Sequence, residues 1–188
     1  MQDDDIVIVK AVRTAIGAFN GMFKDVPSHT LGAAVIRALL ERSSVKGEDI
    51  SEVILGQIMT AHAGPNPARQ AAMYAGVPKE VPSYGINQLC GSALRAVCLG
   101  FQAIKNKDSS IVIAGGQECM SQSPYAYPLR SSNSAKFVDT ILCDALIDPF
   151  YNLHVVGTAE NIARKFSISR EEQDEYAAFS QNKCEMAR

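Results

Sequence analysis

Cys90 is the residue of this chain best placed to do chemistry. It lies in residues 86–106, INQLCGSALRAVCLGFQAIKN, after a polar approach and ahead of two small residues and an apolar helix. That spacing puts the cysteine where the helix should begin. Helix N-terminal N–H groups and the helix dipole favour a thiolate over a thiol. Cysteine nucleophilic catalysis needs such a thiolate, a proton-transfer partner and donors for a developing oxyanion. The backbone N–H of Cys90 is one candidate donor. The plain alternative is a small core residue, since free cysteine is among the most buried residue types.

Other chemistry has less support. The histidines are His29, His62 and His154. None has a second ligand-type residue at metal spacing, so no metal is expected. His154 stands beside the apolar Val155-Val156, whereas His29 and His62 read as surface or packing residues. There is no Gly-x-Gly-x-x-Gly and no Walker-type loop, which removes the usual signals of nucleotide binding.

Composition narrows the setting. The net charge is −2 and no basic run occurs, so neither nucleic acid nor an anionic membrane is an expected partner. Five cysteines, at 90, 98, 119, 143 and 184, are odd in number and widely spaced. With no Cys-x-x-Cys and no Asn-x-Ser/Thr, they suit a reducing compartment. The acidic start at residues 1–5 matches neither a secretory signal nor a mitochondrial presequence, and no apolar run is long enough to span a bilayer. The expected location is the cytoplasm.

The elements that must hold Cys90 follow from periodicity. Ile6-Val7-Ile8-Val9 reads as a strand buried on both faces. A loop with turn points at Gly17 and Gly21 leads to an amphipathic helix over 30–42. Val53-Ile54-Leu55 is a second strand, ended by Gly56. Asn66-Pro67 starts a helix that Gly76 ends. Residues 83–87 are extended and enter Cys90. The next helix has Leu94, Val97, Cys98 and Phe101 on one face and Ala93, Ala96, Gly100 and Ala103 on the other. A helix apolar or small all round belongs between layers, with Cys98 an inert interior residue. Residues 110–114 form another apolar strand. This rhythm is α/β with a largely parallel sheet. Residues 117–153 show no sustained period, which marks a functional or inserted segment. Residues 157–166 are helical again, and Ser169-Arg170-Glu171-Glu172 is a capping box opening a last helix that carries no stop signal.

Several of these stretches together resemble the thiolase family. Ile86-Asn87-x-x-Cys90-Gly91-Ser92-Ala93-Leu94 is similar to its acyl-enzyme signature. Arg13-Thr14-Ala15-Ile16-Gly17 differs from the family's Arg-Thr-Pro-Ile-Gly by alanine for proline. Asn66-Pro67-Ala68-Arg69-Gln70 matches the family pattern unchanged. Ala114-Gly115-Gly116-x-Glu118-x-Met120-Ser121 and the run from Asp144 to Asn161, with Glu171-x-Gln173-Asp174, complete the series in order. The resemblance implies the N-terminal half of the thiolase fold, a layered β-α-β-α-β arrangement with a buried nucleophile helix. Residues 1–120 would be this N-terminal domain and residues 121–188 part of the loop domain that binds coenzyme A and tetramerises. It implies an acetyl-CoA acyltransferase of the biosynthetic, cytosolic type, joining two acetyl-CoA into acetoacetyl-CoA plus CoA and running in reverse as thiolysis. Cys90 would carry the acyl group, with Leu146 and His154 as substrate contacts. Coenzyme A enters as substrate, no separate cofactor is implied, and a homodimer or homotetramer is expected.

The family's other catalytic motifs, Cys-x-Gly and Gly-His-Pro, belong to a C-terminal half that nothing here matches. Cys98-Leu99-Gly100 has the right letters, but it lies about 12 Å along the same helix. His154-Val155-Val156 departs from the family's His-Met-Gly. The expectation is therefore a fragment that is inactive alone. Two further readings remain open, a non-catalytic interaction or dimerisation module and a ketoacyl synthase relative.

Overall fold

The structure is a computed structural model that describes residues 5–130 and 136–187. Residues 1–4 of the acidic start, residues 131–135 of the aperiodic stretch and Arg188 lie outside the described residues. The chain packs as two compact units, divided between Ala145 and Leu146. The change of sequence character at Gln117 therefore falls well before the division in packing.

The first unit is built on three parallel strands. After helix α1 (Ser28–Ser43) come β1 (Glu52–Gly56), α2 (Pro67–Tyr74), β2 (Ser83–Ile86), α3 (Ser92–Lys105) and β3 (Val112–Gly116). The strand order is β2-β1-β3, so β1 is central, with Leu55 paired to Gly85 on one side and Gly115 on the other. Val53, Ile54 and Leu55 are all buried. Their unbroken apolarity follows from a parallel strand being covered on both faces. Two short antiparallel strands, β4 (Tyr125–Ala126) and β5 (Val138–Asp139), close this unit.

Alternation along β1 sorts the two faces. Val53 and Leu55 join Ile36 of α1, Ala71 and Ala72 of α2, Val77 and Ile113 in one buried cluster. Gly56 turns the other way, toward α3. A Cβ there would lie 2.5 Å from Ala93 N, and one on Gly116 would lie 2.8 Å from Ala93 Cβ. On the helix side, a Cβ on Gly100 would approach Val112 Cγ1 to 3.1 Å. The small stripe of α3, with Ser92, Ala96 and Gly100 buried, is what lets the helix sit this close to the sheet.

Two expectations are corrected here. Ile6-Val7-Ile8-Val9 forms no strand, and Ile8 is 80% exposed. A two-faced strand needs a neighbouring edge and a covering layer, and the sheet ends at β2 and β3 without taking these residues in. The large-residue face of α3 is not interior either. Leu94 is 70% exposed and Phe101 47%, and Cys98 is exposed rather than a core residue. Helical periodicity marks this face as apolar but does not say what covers it.

The second unit holds β6 (Ile147–Asp148), β7 (Leu153–His154), α4 (Val155–Phe166) and α5 (Arg170–Met186). β6 and β7 pair antiparallel. Ser169 caps α5 as its sequence implies. Glu172 N–H donates to Ser169 Oγ at 3.1 Å, and Ser169 N–H donates to Glu172 Oε2 at 2.7 Å. No residue of α4 or α5 is buried. Among the described residues no helix is long and apolar enough to cross a membrane.

Candidate active site

Cys90 sits in the tight turn between β2 and α3. The helix proper starts at Ser92 with Gly91 as its N-cap, so the thiol belongs to the approach rather than to the first helical turn. The preceding residue, Leu89, has φ +49°, a left-handed conformation that side chains with a Cβ rarely adopt. Its peptide groups are held at both ends. Leu89 N–H donates to Asn87 Oδ1 at 2.9 Å. Leu89 C=O accepts from Ser92 N–H at 3.0 Å and from the Ser92 hydroxyl at 2.6 Å. The same hydroxyl oxygen accepts from Gln88 N–H at 2.8 Å. Ser92 is 4% exposed, wedged beneath the turn, while Cys90 is exposed. The result is an elbow that lifts a thiol off the end of the sheet, beside the N-terminus of an apolar helix.

The polar residues of the neighbouring motifs hold this elbow's supports. Asn66 accepts from Arg69 N–H at 3.0 Å as the cap of α2, and its amide donates to Ser83 C=O of β2 at 2.9 Å. The Arg69 guanidinium donates to Lys79 C=O at 2.9 Å and to Val81 C=O at 3.4 Å. Gln70 donates to Ala63 and Pro65 carbonyls at 3.0 and 2.9 Å. Asn-Pro-Ala-Arg-Gln is thus the clamp on the loops either side of α2, and through Ser83 it fixes the strand that delivers Cys90. Glu118 does the same for the loop after β1, accepting from Ile58 N–H at 2.8 Å and from Met59 N–H at 3.3 Å. Burial pushes its carboxyl above the ordinary range, against these N–H donors, which pull it down. Ser121 of the same motif accepts from Asn20 N–H at 2.9 Å, tying down the loop that follows Arg13-Thr14.

The other candidates lie elsewhere. Leu146 precedes β6, and Ile147 pairs directly with His154, so the two proposed contact residues share one end of the small hairpin in the second unit. His154 is the N-cap of α4, with Nδ1 accepting from Val156 N–H at 3.2 Å. That bond leaves only Nε2 for any further contact. His29 and His62 line a cavity of about 200 Å³ with Ser28, Met59, Cys119 and Ser123. Among the described residues, His29 Nδ1 and Ser123 Oγ have no hydrogen-bond partner. A larger hollow of about 520 Å³ lies between the start of α2 and β2, lined by Asn66, Tyr84, Ile86 and Asn87. Burial, then the Glu52 carboxylate and its side-chain hydrogen bond, raise the Tyr84 phenol above its ordinary value. Among the described residues no three His, Cys, Asp or Glu side chains group as metal ligands.

Sequence reasoning did not find Ser92, Asn87 or Leu89 as parts of the site. Asn87 and Ser92 stood in the signature, but only the fold shows that both act on the residue between them.

Known proteins match this chain along nearly its whole length. Acetyl-CoA acetyltransferase of Rhizobium meliloti (strain 1021) is 52% identical over 190 residues, covering 100% of this chain and 48% of the relative. Its namesake in Shinella zoogloeoides is 50% identical over 184 residues, covering 96% of this chain and 47% of the relative. The cytosolic acetyl-CoA acetyltransferase of Rattus norvegicus is 49% identical over 187 residues, covering 98% and 47%. The chain therefore spans about half the length of the curated relatives it matches. The family model for the thiolase N-terminal domain matches residues 6–188. By that match the chain belongs to the thiolase family.

Proposed function

We propose that Cys90 is the acyl-carrying nucleophile of an acetyl-CoA C-acetyltransferase. Its thiolate attacks the carbonyl carbon of an acyl-CoA thioester, and the tetrahedral oxyanion collapses to expel coenzyme A thiolate, which takes up a proton. A second acetyl-CoA then loses its α-proton to a base. Its carbanion attacks the Cys90 thioester, releasing acetoacetyl-CoA and restoring the thiolate. The reverse sequence cleaves a 3-ketoacyl-CoA. Splitting the transfer at a covalent thioester divides one difficult step into two. The observation that carries this reading is the exposed thiol on a braced elbow at the start of α3.

The base and the remaining oxyanion donors are not among these residues. No hydrogen bond joins the Cys90 thiol to a histidine among the described residues, and the sequence holds no Gly-His-Pro. Residues 1–188 supply the nucleophile half of the site, and turnover belongs to a longer chain. Leu146 and His154 contact substrate, the assembly is a homodimer or homotetramer, and the location is cytoplasmic. The name acetyl-CoA acetyltransferase, borne by the relatives, supports the acyl-transfer reading, and the cytosolic relative supports the location.

Acetoacetyl-CoA thiolysis by purified residues 1–188, beside Cys90→Ser, is the test. The expected result is no turnover above background in either, because each missing group is worth on the order of a hundredfold or more. Robust thiolysis abolished by Cys90→Ser would show a complete site and overturn the half-site reading.

A further inference from the structure

We infer that Ser92 is a positioning residue, whose hydroxyl holds Leu89 in its left-handed conformation and so sets the direction of the Cys90 thiol and N–H. This deepens the nucleophile reading above and rests on it. Leu89 has no local reason to adopt φ +49°; neither glycine nor asparagine stands there, and Leu89 itself is 52% exposed, so packing does not impose the turn. What imposes it is polar. Asn87 Oδ1 takes the Leu89 N–H, and the Ser92 hydroxyl spans the turn from Gln88 N–H to Leu89 C=O. In a trans peptide C=O and N–H point in opposite directions. Fixing Leu89 C=O against Ser92 therefore fixes Cys90 N–H on the opposite side. Ser92 can do this because it is itself buried against the sheet, at the point where Gly56 leaves no room for a side chain.

The experiment compares Ser92→Ala, Leu89→Val and the double variant Ser92→Ala with Leu89→Gly in residues 1–188. Two quantities are read: the iodoacetamide rate of Cys90 relative to Cys98 on the same chain, and deuterium exchange at the Gln88 amide. Ser92→Ala should lower the Cys90-to-Cys98 ratio severalfold and speed Gln88 exchange. Leu89→Val, an exposed change that leaves the core alone, should lower the ratio because a β-branched residue resists positive φ. The relaxed Leu89 peptide costs the elbow roughly fivefold to thirtyfold in population. Glycine at 89 should restore the ratio in the double variant, since it adopts positive φ freely. An unchanged ratio and unchanged Gln88 exchange in Ser92→Ala, or no recovery in the double variant, would overturn the inference. Equal labelling of Cys90 and Cys98 in the wild type would instead sink the nucleophile reading, and Gln88 exchange in Ser92→Ala would still decide the role of Ser92.

Discussion

Helices α2 and α3 cover opposite faces of the same three strands, and they end up in different circumstances. α2 buries Pro67, Ala68, Ala71 and Ala72, and α1 lies against it. Its face of the sheet is finished within this chain. α3 buries only its small stripe, and its large apolar residues Leu94, Val97 and Phe101 face outward. Among the described residues of this unit, α1 packs closely against α2, and no helix packs comparably against α3. Leu94, Val97 and Phe101 thus form an exposed apolar face on α3. The nucleophile is mounted on the uncovered side. That explains how Cys90 is exposed while the serine beneath it is buried.

Two single substitutions and one pair would sharpen or break this contrast. The largest effect belongs to Ile54→Ala in the central strand, where the side chain is fully buried. It should cost about 2–5 kcal/mol in denaturant unfolding, the range for cavities in packed cores. A loss near zero would mean that the α3 face of the sheet is not packed. Next comes Gly56→Ala, whose Cβ would meet the backbone of Ser92 and Ala93 at 2.5 Å. About 1–3 kcal/mol of overpacking is expected, together with slower iodoacetamide labelling of Cys90, because α3 must shift. Labelling that stays unchanged would separate the elbow from the helix seat. Smallest is the pair Leu94→Ser and Phe101→Ser. Stability should move by no more than about 0.5 kcal/mol, as at other exposed positions. Self-association in sedimentation velocity should fall. A sharp loss of stability would show that this face is already packed within the chain.

Much of the frame was legible in the sequence, and the reason is that its signals are local. Asn66-Pro67 announces α2, Ser169 and Glu172 announce α5, and the apolar runs at 53–55 and 110–114 announce parallel strands, the second beginning two residues later than expected. What the sequence misplaced depends on partners distant in the chain. Ile6-Val7-Ile8-Val9 has the composition of a central strand, but composition does not name the edge it would join. Cys98 has helical spacing that fits a core, but the same spacing fits a face awaiting cover. The elbow was half legible. Cys90 was found from its place ahead of a helix. The left-handed Leu89 was not, because nothing in its own residue type asks for that conformation. Asn87 and Ser92 impose it from either side.

Time-resolved iodoacetamide labelling, with mass mapping of all five thiols, tests the place of Cys90 most directly. Cys90 should react first, ahead of Cys98, Cys143 and Cys184, although all four are exposed. Exposure alone would make these four similar, so a lead for Cys90 reports the elbow and the start of α3. Cys98 labelled first, or no order among the exposed thiols, would contradict the assignment of Cys90 as the nucleophile.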